Sequence, residues 1–340
     1  MDCWTDTQES VLDLSEESET FCSEITLIFR CQFAPGLELA GLGEGNLMSF
    51  PETSIATGRP RMLFLLRVSR FRFWTYTGGT FAVGYAMGMT SLQSLLSPLF
   101  FLYFLYFLIP ANLFVYGIND YCDSDTDLLN PKKYDKEYRI RKTDRGTLQF
   151  ALVSVVLASL TLMAFQTIGQ SLILLSFLIL SYGYSAKPFR LKAIAFLDFS
   201  SNYLYIIPGI FGYYLASGQP PSLLLMLGGF FYIAAMQLFS AIPDIEYDRA
   251  SGIRTTAVVL GKRSSLVLCL IFWIMFAYVV ILASTYHPLS TLALIYPLYP
   301  AALLARAEVN IGRVYWHFPY INTILGIVTF IAISFSKSTA

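Results

Sequence analysis

Nine stretches of this 340-residue chain are apolar over lengths close to the span of a hydrocarbon core, which takes about 20 helical residues. They run over 73–90, 97–118, 148–167, 170–186, 196–216, 222–242, 265–285, 288–305 and 319–336. Such segments are confined to helices or closed barrels, because lipid offers no partner to an unpaired backbone N–H or C=O. Their length fits helices, since a barrel strand needs only about ten residues. The composition agrees: 55% of residues are hydrophobic, 14% are charged and the mean hydropathy is +0.57, outside the usual range of soluble domains. The expected fold is an all-α polytopic membrane protein of nine transmembrane helices.

Charge placement gives an independent expectation of topology. Every Lys and Arg except Lys337 falls before the first stretch or in the connections after stretches two, four, six and eight. The other connections, near 91–96, 168–170, 217–221 and 286–288, carry none. Basic residues favour the cytoplasmic side of short loops, so the N-terminus and the charged loops are expected there and the C-terminus on the opposite side. The acids sort the same way, and the formal net charge of zero conceals a one-sided molecule. Nothing in this pattern points to nucleic acid. Residues 1–61 differ in kind: acid-rich and scattered with Ser, Thr and Gly, they read as a solvated, disordered tail ahead of a membrane domain over 62–340. The tail has neither the basic start of a secretory signal nor the acid-poor composition of a transit peptide.

Two acidic clusters stand at the edges of these apolar stretches. The first spans Asn119, Asp120, Asp123 and Asp127; the second is Asp244-Ile245-Glu246-Tyr247-Asp248. On a helix Asn119, Asp123 and Asp127 fall at i, i+4 and i+8, and Asp244 and Asp248 repeat the i, i+4 step, so each set points one way. A single acid there is better read as part of a polar loop. The repeated spacing at the ends of two spans on one membrane face instead suggests a cage for divalent cations. Crowded carboxylates raise one another's pKa unless cations neutralise them. Magnesium suits an oxygen-only set and is commonly shared with substrate phosphates, whereas transition metals favour His and Cys. Neither His287 and His317 nor Cys3, Cys22, Cys31, Cys122 and Cys269 make a plausible metal set. The implied ligand is a phosphate ester whose remainder is membrane-soluble.

Basic residues on the same face could bind the phosphate oxygens that metals leave free. The loop Tyr182–Lys192 supplies Lys187, Arg190 and Lys192, the start of span one supplies Arg67, Arg70 and Arg72, and Arg254, Lys262 and Arg263 follow the second cluster. Each can equally be an anchor at lipid head groups; Arg72, Lys262 and Arg263 are read that way. Lys187 and Arg190 are favoured as ligands because Pro188 stiffens the backbone between them.

The patterns Asn119-Asp120-x-x-Asp123-x-x-x-Asp127 and Asp244-x-x-x-Asp248, with a Tyr-Ser-x-x-Pro-x-Arg-Leu-Lys loop between them, resemble the intramembrane prenyltransferases of the UbiA superfamily over about residues 62–336. The resemblance implies a ring of nine helices around a central cavity, capped by the loops that carry the motifs. It implies transfer of a prenyl group from an allylic diphosphate to a lipophilic acceptor. Asn119, Asp123, Asp127, Asp244 and Asp248 would hold Mg2+, Asp120 would support them, and Arg67, Arg70, Lys187, Arg190 and Lys192 would neutralise the diphosphate. Tyr116 and Tyr184 are candidates for rings that face an allylic cation.

The stretches around 111–133 and 241–257, and Ser69-Arg70-Phe71-Arg72-Phe73-Trp74, are similar to the carotenoid-prenylating branch, the lycopene elongases, although a proline is expected where Phe71 stands. The implied acceptor is lycopene or a related C40 chain that receives a C5 unit. An aromatic or quinone precursor or a chlorophyll-type alcohol is the alternative. A secondary transporter also uses acids within its spans, but near the bilayer midplane, whereas these acids sit at helix ends. A non-catalytic lipid-binding relative fits poorly with two intact acidic motifs.

Overall fold

A computed structural model describes residues 61–123, 142–306 and 310–337. Nearly all of it is helical: α1 (Arg61–Val68), α2 (Thr80–Gly88), α3 (Pro98–Leu108), α4 (Pro110–Asp123), α5 (Arg145–Met163), α6 (Ile168–Ser185), α7 (Ile207–Ser217), α8 (Leu223–Ala241), α9 (Ile245–Ala250), α10 (Thr256–Ala283), α11 (Ile295–Ala305) and α12 (Phe318–Ser336). The acidic tail and Asp127 lie outside the described residues.

Seven helical segments among the described residues are long and apolar enough to cross a membrane, which does not confirm the expected nine. The two stretches that fall short, 73–90 and 196–216, are apolar but broken. The first passes through short turns at Phe71–Phe73 and Thr75–Gly79, the latter π-helical, before α2 begins. The second runs through a helical turn at Leu197–Ser200 and a tighter one at Ser201–Tyr205 before α7, which starts with Pro208 in its first turn. Both breaks lie on the side of the bundle that carries the acidic motifs.

Breaks inside a membrane leave backbone groups that need partners, and side chains supply them. Pro110 cannot donate a hydrogen bond, so α3 and α4 meet at a bend. There the Thr77 hydroxyl donates to the Phe107 carbonyl at 2.6 Å, while Asn112 Nδ2 donates to the Leu108 carbonyl at 3.0 Å and to Thr77 Oγ1 at 2.5 Å. The π-helical turn of the first stretch is thereby tied to the bend in the second.

Intact helices start on conventional caps. Thr167 and Gln170 make a reciprocal capping box for α6, and Ser222 accepts from Leu225 N at α8. Gly261 interrupts α10 with left-handed backbone (φ 75°), so the unbroken membrane helix starts beyond it.

Two aromatic-rich cores fill the bundle. One centres on Phe81, Phe107 and Phe211, whose rings lie 5.4–6.5 Å apart; the other on Trp273, Phe239 and Phe318, at 5.0–5.5 Å. Tyr203 and Tyr205 touch both. Helices α2 and α7 cross with little side chain between them: a Cβ added at Gly84 would lie 2.0 Å from the Gly209 carbonyl oxygen. Small residues at such crossings let membrane helices gain van der Waals contact that the bilayer itself does not drive. Exposed Leu157, Leu160, Leu172 and Ile179 on α5 and α6 meet lipid.

Gly84→Val therefore forces the α2–α7 crossing apart. A thermal-unfolding midpoint in detergent is expected to fall by the equivalent of about 1–3 kcal/mol, while Gly146→Ala, inside α5 where an added methyl meets nothing within 4 Å, does not lower it and is expected to raise it slightly.

Candidate active site

The end of α4 gathers Tyr116, Asn119, Asp120 and Asp123 on one helical face, because steps of three and four residues return to the same side. Asp120 and Asp123 are 5% and 8% exposed, so their charges need partners. Asp120 accepts from Arg70 Nη2 at 2.7 Å, and the Arg70 guanidinium lies 4.8 Å from the centre of the Tyr116 ring. Arg70 adopts left-handed backbone (φ 52°), an uncommon state for a residue with a Cβ.

Asp123 receives Arg190 Nη2 at 3.1 Å and also pairs with Lys192 Nζ, which lies 3.4 Å from Asn119 Oδ1. Arg190 too is left-handed (φ 39°). The structure thus brings Arg190 and Lys192 to the first motif. Lys187 is exposed and is not among the cations that pair with Asp123; the stiffness of Pro188 does not carry it inward. Arg67 sits half-buried in the last turn of α1, one helical turn before Arg70. Arg72 stacks 4.0 Å over Trp316 and donates to its carbonyl at 3.3 Å. Lys262, Arg263 and Arg254 are exposed.

The second motif follows α8. A tight turn at Ile242–Asp244, with Pro243 in it, leads into α9, so Asp244 and Asp248 stand about one turn apart, half-buried. Glu246 points away and pairs with Arg249 at 3.1 Å on the surface. Gly252 (φ 70°) turns the chain after α9, with Ile253 N donating to the Asp248 carbonyl at 2.8 Å. Ile194 and Arg254 then form a parallel backbone bridge, which ties the basic loop to the segment following the second motif.

Beneath the charged layer, four rings close a circuit. Phe73–Tyr116 centroids are 5.5 Å apart, Tyr116–Tyr205 6.5 Å, Tyr205–Tyr76 6.2 Å and Tyr76–Phe73 5.4 Å. Tyr205 OH also donates to Tyr116 OH at 3.1 Å. Tyr184 stands nearby, its oxygen accepting from Asn202 Nδ2 and Gln237 Nε2, both at 3.2 Å. Asn202 Nδ2 also donates to the Asp198 carbonyl at 2.9 Å, which fixes which end of that amide is nitrogen. With two donors on its oxygen, the Tyr184 hydroxyl is left to act as a donor itself.

Among the described residues no three His, Cys, Asp or Glu side chains come together as a metal cluster; Asp127 lies outside them. The donors present are oxygen pairs, Asn119 with Asp123 and Asp244 with Asp248. That chemistry suits a hard cation that keeps water and phosphate ligands, as Mg2+ does, and does not suit zinc.

The sequence assigns no site role to Asp198, Thr256, Asn202, Gln237, Phe73, Tyr76 or Tyr205, although Phe73 and Thr256 fall in the stretches similar to the lycopene elongases. A carboxylate inside an apolar stretch was the available signal for Asp198. The aromatic residues had none, since 22 Tyr and 28 Phe give no reason to choose among them.

The UbiA prenyltransferase family matches residues 77–315. The chain belongs to that family. Relatives named lycopene elongase/hydratase are 41% identical in Haloarcula japonica, over 78% of this chain and 89% of theirs, and 40% identical in Halobacterium salinarum, over 79% and 95%. A UbiA homolog from Archaeoglobus fulgidus bound to Cd2+ superposes with a TM-score of 0.58 at 25% identity, covering 79% of this chain and 99% of its own. The same homolog bound to DMAPP and Mg2+ gives 0.61 at 23%, covering 81% and 99%, a likeness of fold. This UbiA-family chain is thus an integral, multi-pass prenyltransferase, and the transporter and lipid-binding readings fall away.

Breaking a buried ion pair by removing one partner costs up to about 3–5 kcal/mol. Arg70→Met, which takes the 2.7 Å partner from Asp120, is expected to lower the thermal midpoint in detergent. Arg70→Met with Asp120→Leu is expected to recover most of that stability without recovering prenyl transfer.

Proposed function

We propose that this enzyme transfers a C5 unit from an allylic diphosphate to the end of lycopene or a related C40 carotenoid, with Mg2+ as cofactor. The observation that carries the acceptor is the identity of about 40%, across most of the membrane domain, to relatives named for that acceptor. An acceptor of pure hydrocarbon also fits an interior whose walls are mainly aromatic and aliphatic. Aromatic or quinone precursors remain the alternative acceptor class.

Bound Mg2+ would make the diphosphate a better leaving group by withdrawing charge from its oxygens. Asn119, Asp123, Asp127, Asp244 and Asp248 are the residues proposed to hold it. Arg70, kept in place by Asp120, and Arg190 and Lys192, gathered on Asp123, are positioned to pair with diphosphate oxygens. Arg67 and Lys187 belong to the same basic face in this reading.

The allylic chain would extend away from these charges into the circuit of Phe73, Tyr76, Tyr116 and Tyr205. There the faces of the rings stabilise developing positive charge, and the alkene terminus of the acceptor attacks the allylic carbon as its bond to diphosphate oxygen breaks. A proton then leaves the new tertiary cation, which restores an alkene. Tyr184, with its hydroxyl left as a donor, is suited to hold a departing diphosphate oxygen. In the proposed orientation the charged layer faces the cytoplasm, where soluble diphosphates are available.

Membranes containing the protein, incubated with labelled dimethylallyl diphosphate and lycopene, are expected to yield carotenoids enlarged by whole C5 increments only when Mg2+ is supplied, as read by mass analysis of extracted lipids. Labelling of an aromatic acceptor with no carotenoid product would move the assignment to the alternative class. Asp123→Ala and Asp244→Ala are each expected to abolish transfer while the protein stays in the membrane; full turnover in either would remove that residue from the site.

A further inference from the structure

Asp198 is 1% exposed, and an aspartate so placed is costly to bury unless its oxygens are well satisfied. Its partners are neutral donors. Thr256 N donates to Oδ2 at 2.8 Å, while Thr256 Oγ1 at 2.5 Å and Phe199 N at 2.9 Å donate to Oδ1. Thr256 is fully buried, and its hydroxyl oxygen accepts in turn from Phe196 N at 2.6 Å. Phe196 is held in left-handed backbone (φ 67°) although half of its surface is exposed, so local preference does not explain that conformation.

Position in the chain gives this contact a role. Residues 190–198 leave the first acidic motif, where Arg190 and Lys192 grip Asp123. They arrive at the segment beyond the second motif through the Ile194–Arg254 bridge and the Asp198–Thr256 bonds. Thr255, the neighbour of Thr256, presents its hydroxyl 3.3 Å from Asp248 Oδ2 and caps α10 by accepting from Val258 N at 3.4 Å. A continuous line of contacts therefore runs from Asp123 to Asp248. Its central joint is the Asp198 carboxylate on Thr256.

We infer that Asp198 and Thr256 are positioning residues, a latch that fixes the second acidic motif relative to the first through the basic loop. The inference rests on the proposed reading of the two motifs as one cation and diphosphate site. Cation binding by two separately mobile acid pairs pays the ordering of both at once, whereas latched pairs are pre-organised. Residues that orient metal ligands without touching the metal commonly change affinity or activity by about 10–100-fold when altered.

The test uses the full-length enzyme in membranes. Thr256→Val keeps the side-chain shape and the backbone N–H but removes the hydroxyl that binds Asp198 and Phe196. Thr256→Ser keeps both bonds. The readouts are the Mg2+ concentration for half-maximal transfer, KM for dimethylallyl diphosphate, KM for lycopene and the thermal midpoint in detergent. Thr256→Val is expected to raise the Mg2+ requirement and the diphosphate KM by about 10-fold or more with the lycopene KM unchanged, and Thr256→Ser to restore wild-type values. Thr256→Ala, which adds no bulk, is expected to repeat the valine result and serves if valine does not accumulate. A wild-type Mg2+ requirement in the folded variants overturns the latch, and so does loss of folded protein in both, which would make the contact purely structural. Failure of the underlying site reading is a different result: the unaltered enzyme would then transfer prenyl groups without Mg2+.

Discussion

Charge at the end of a membrane helix has to be answered by other charge or by hydrogen bonds, because neither lipid nor a packed core solvates it. Asp120 and Asp123, nearly buried at the end of α4, are answered by Arg70, Arg190 and Lys192, and much of the local fold serves those pairings. Two of the three cations sit on left-handed backbone, at Arg70 and Arg190. A residue with a Cβ stays in that region when the surroundings hold it there. The chain bends before the first broken span and again in the loop after α6, and each bend presents an arginine to an aspartate of α4.

The same requirement accounts for the spans that are not clean helices. An unbroken helix over 73–90 or 196–216 would satisfy its own backbone but would fix its side chains on a regular spiral. The π-helical turn at Thr75–Gly79 follows Phe73 and contains Tyr76, and the tight turn at Ser201–Tyr205 ends on Tyr205. These are three of the four rings in the circuit below the charges. The irregular backbone is tolerated because side chains answer its carbonyls: Thr80 Oγ1 donates to Tyr76 O at 2.8 Å, Ser201 Oγ to Leu197 O at 2.5 Å and Asn202 Nδ2 to Asp198 O at 2.9 Å.

The sequence was most legible where one-dimensional spacing survives folding. Apolar length located the membrane segments, and the i, i+4 steps at Asn119–Asp123 and Asp244–Asp248 found residues that do lie at helix ends. Legibility failed where a property depends on backbone geometry that composition does not encode. A break in a hydrophobic stretch costs no hydrophobicity, so 73–90 and 196–216 looked like the other spans. The preference for Lys187 over Lys192 rested on the stiffness of Pro188, but direction decides: the left-handed turn at Arg190 sends Arg190 and Lys192 toward α4 and leaves Lys187 in solvent. Thr256 was unreadable for a related reason, since its partner Asp198 lies 58 positions away.

The vertical order of the site also bears on how the reaction avoids water. Positive groups and carboxylates occupy one layer, and the ring circuit lies directly below, joined to it at Tyr116, which carries the Arg70 guanidinium over its ring, stacks on Phe73 and packs at a tilt against Tyr205. In the proposed reading a diphosphate held in the upper layer leaves its allylic carbon among these rings, where Asn322 Nδ2 already donates to Tyr76 OH at 3.2 Å and the Tyr116 and Tyr205 hydroxyls are spent partly on each other. Positive charge released on that carbon would meet aromatic faces before it met a strong nucleophile. The acceptor chain, entering from the lipid side, would reach the same point without crossing the charged layer, so the two substrates need share only the aromatic circuit.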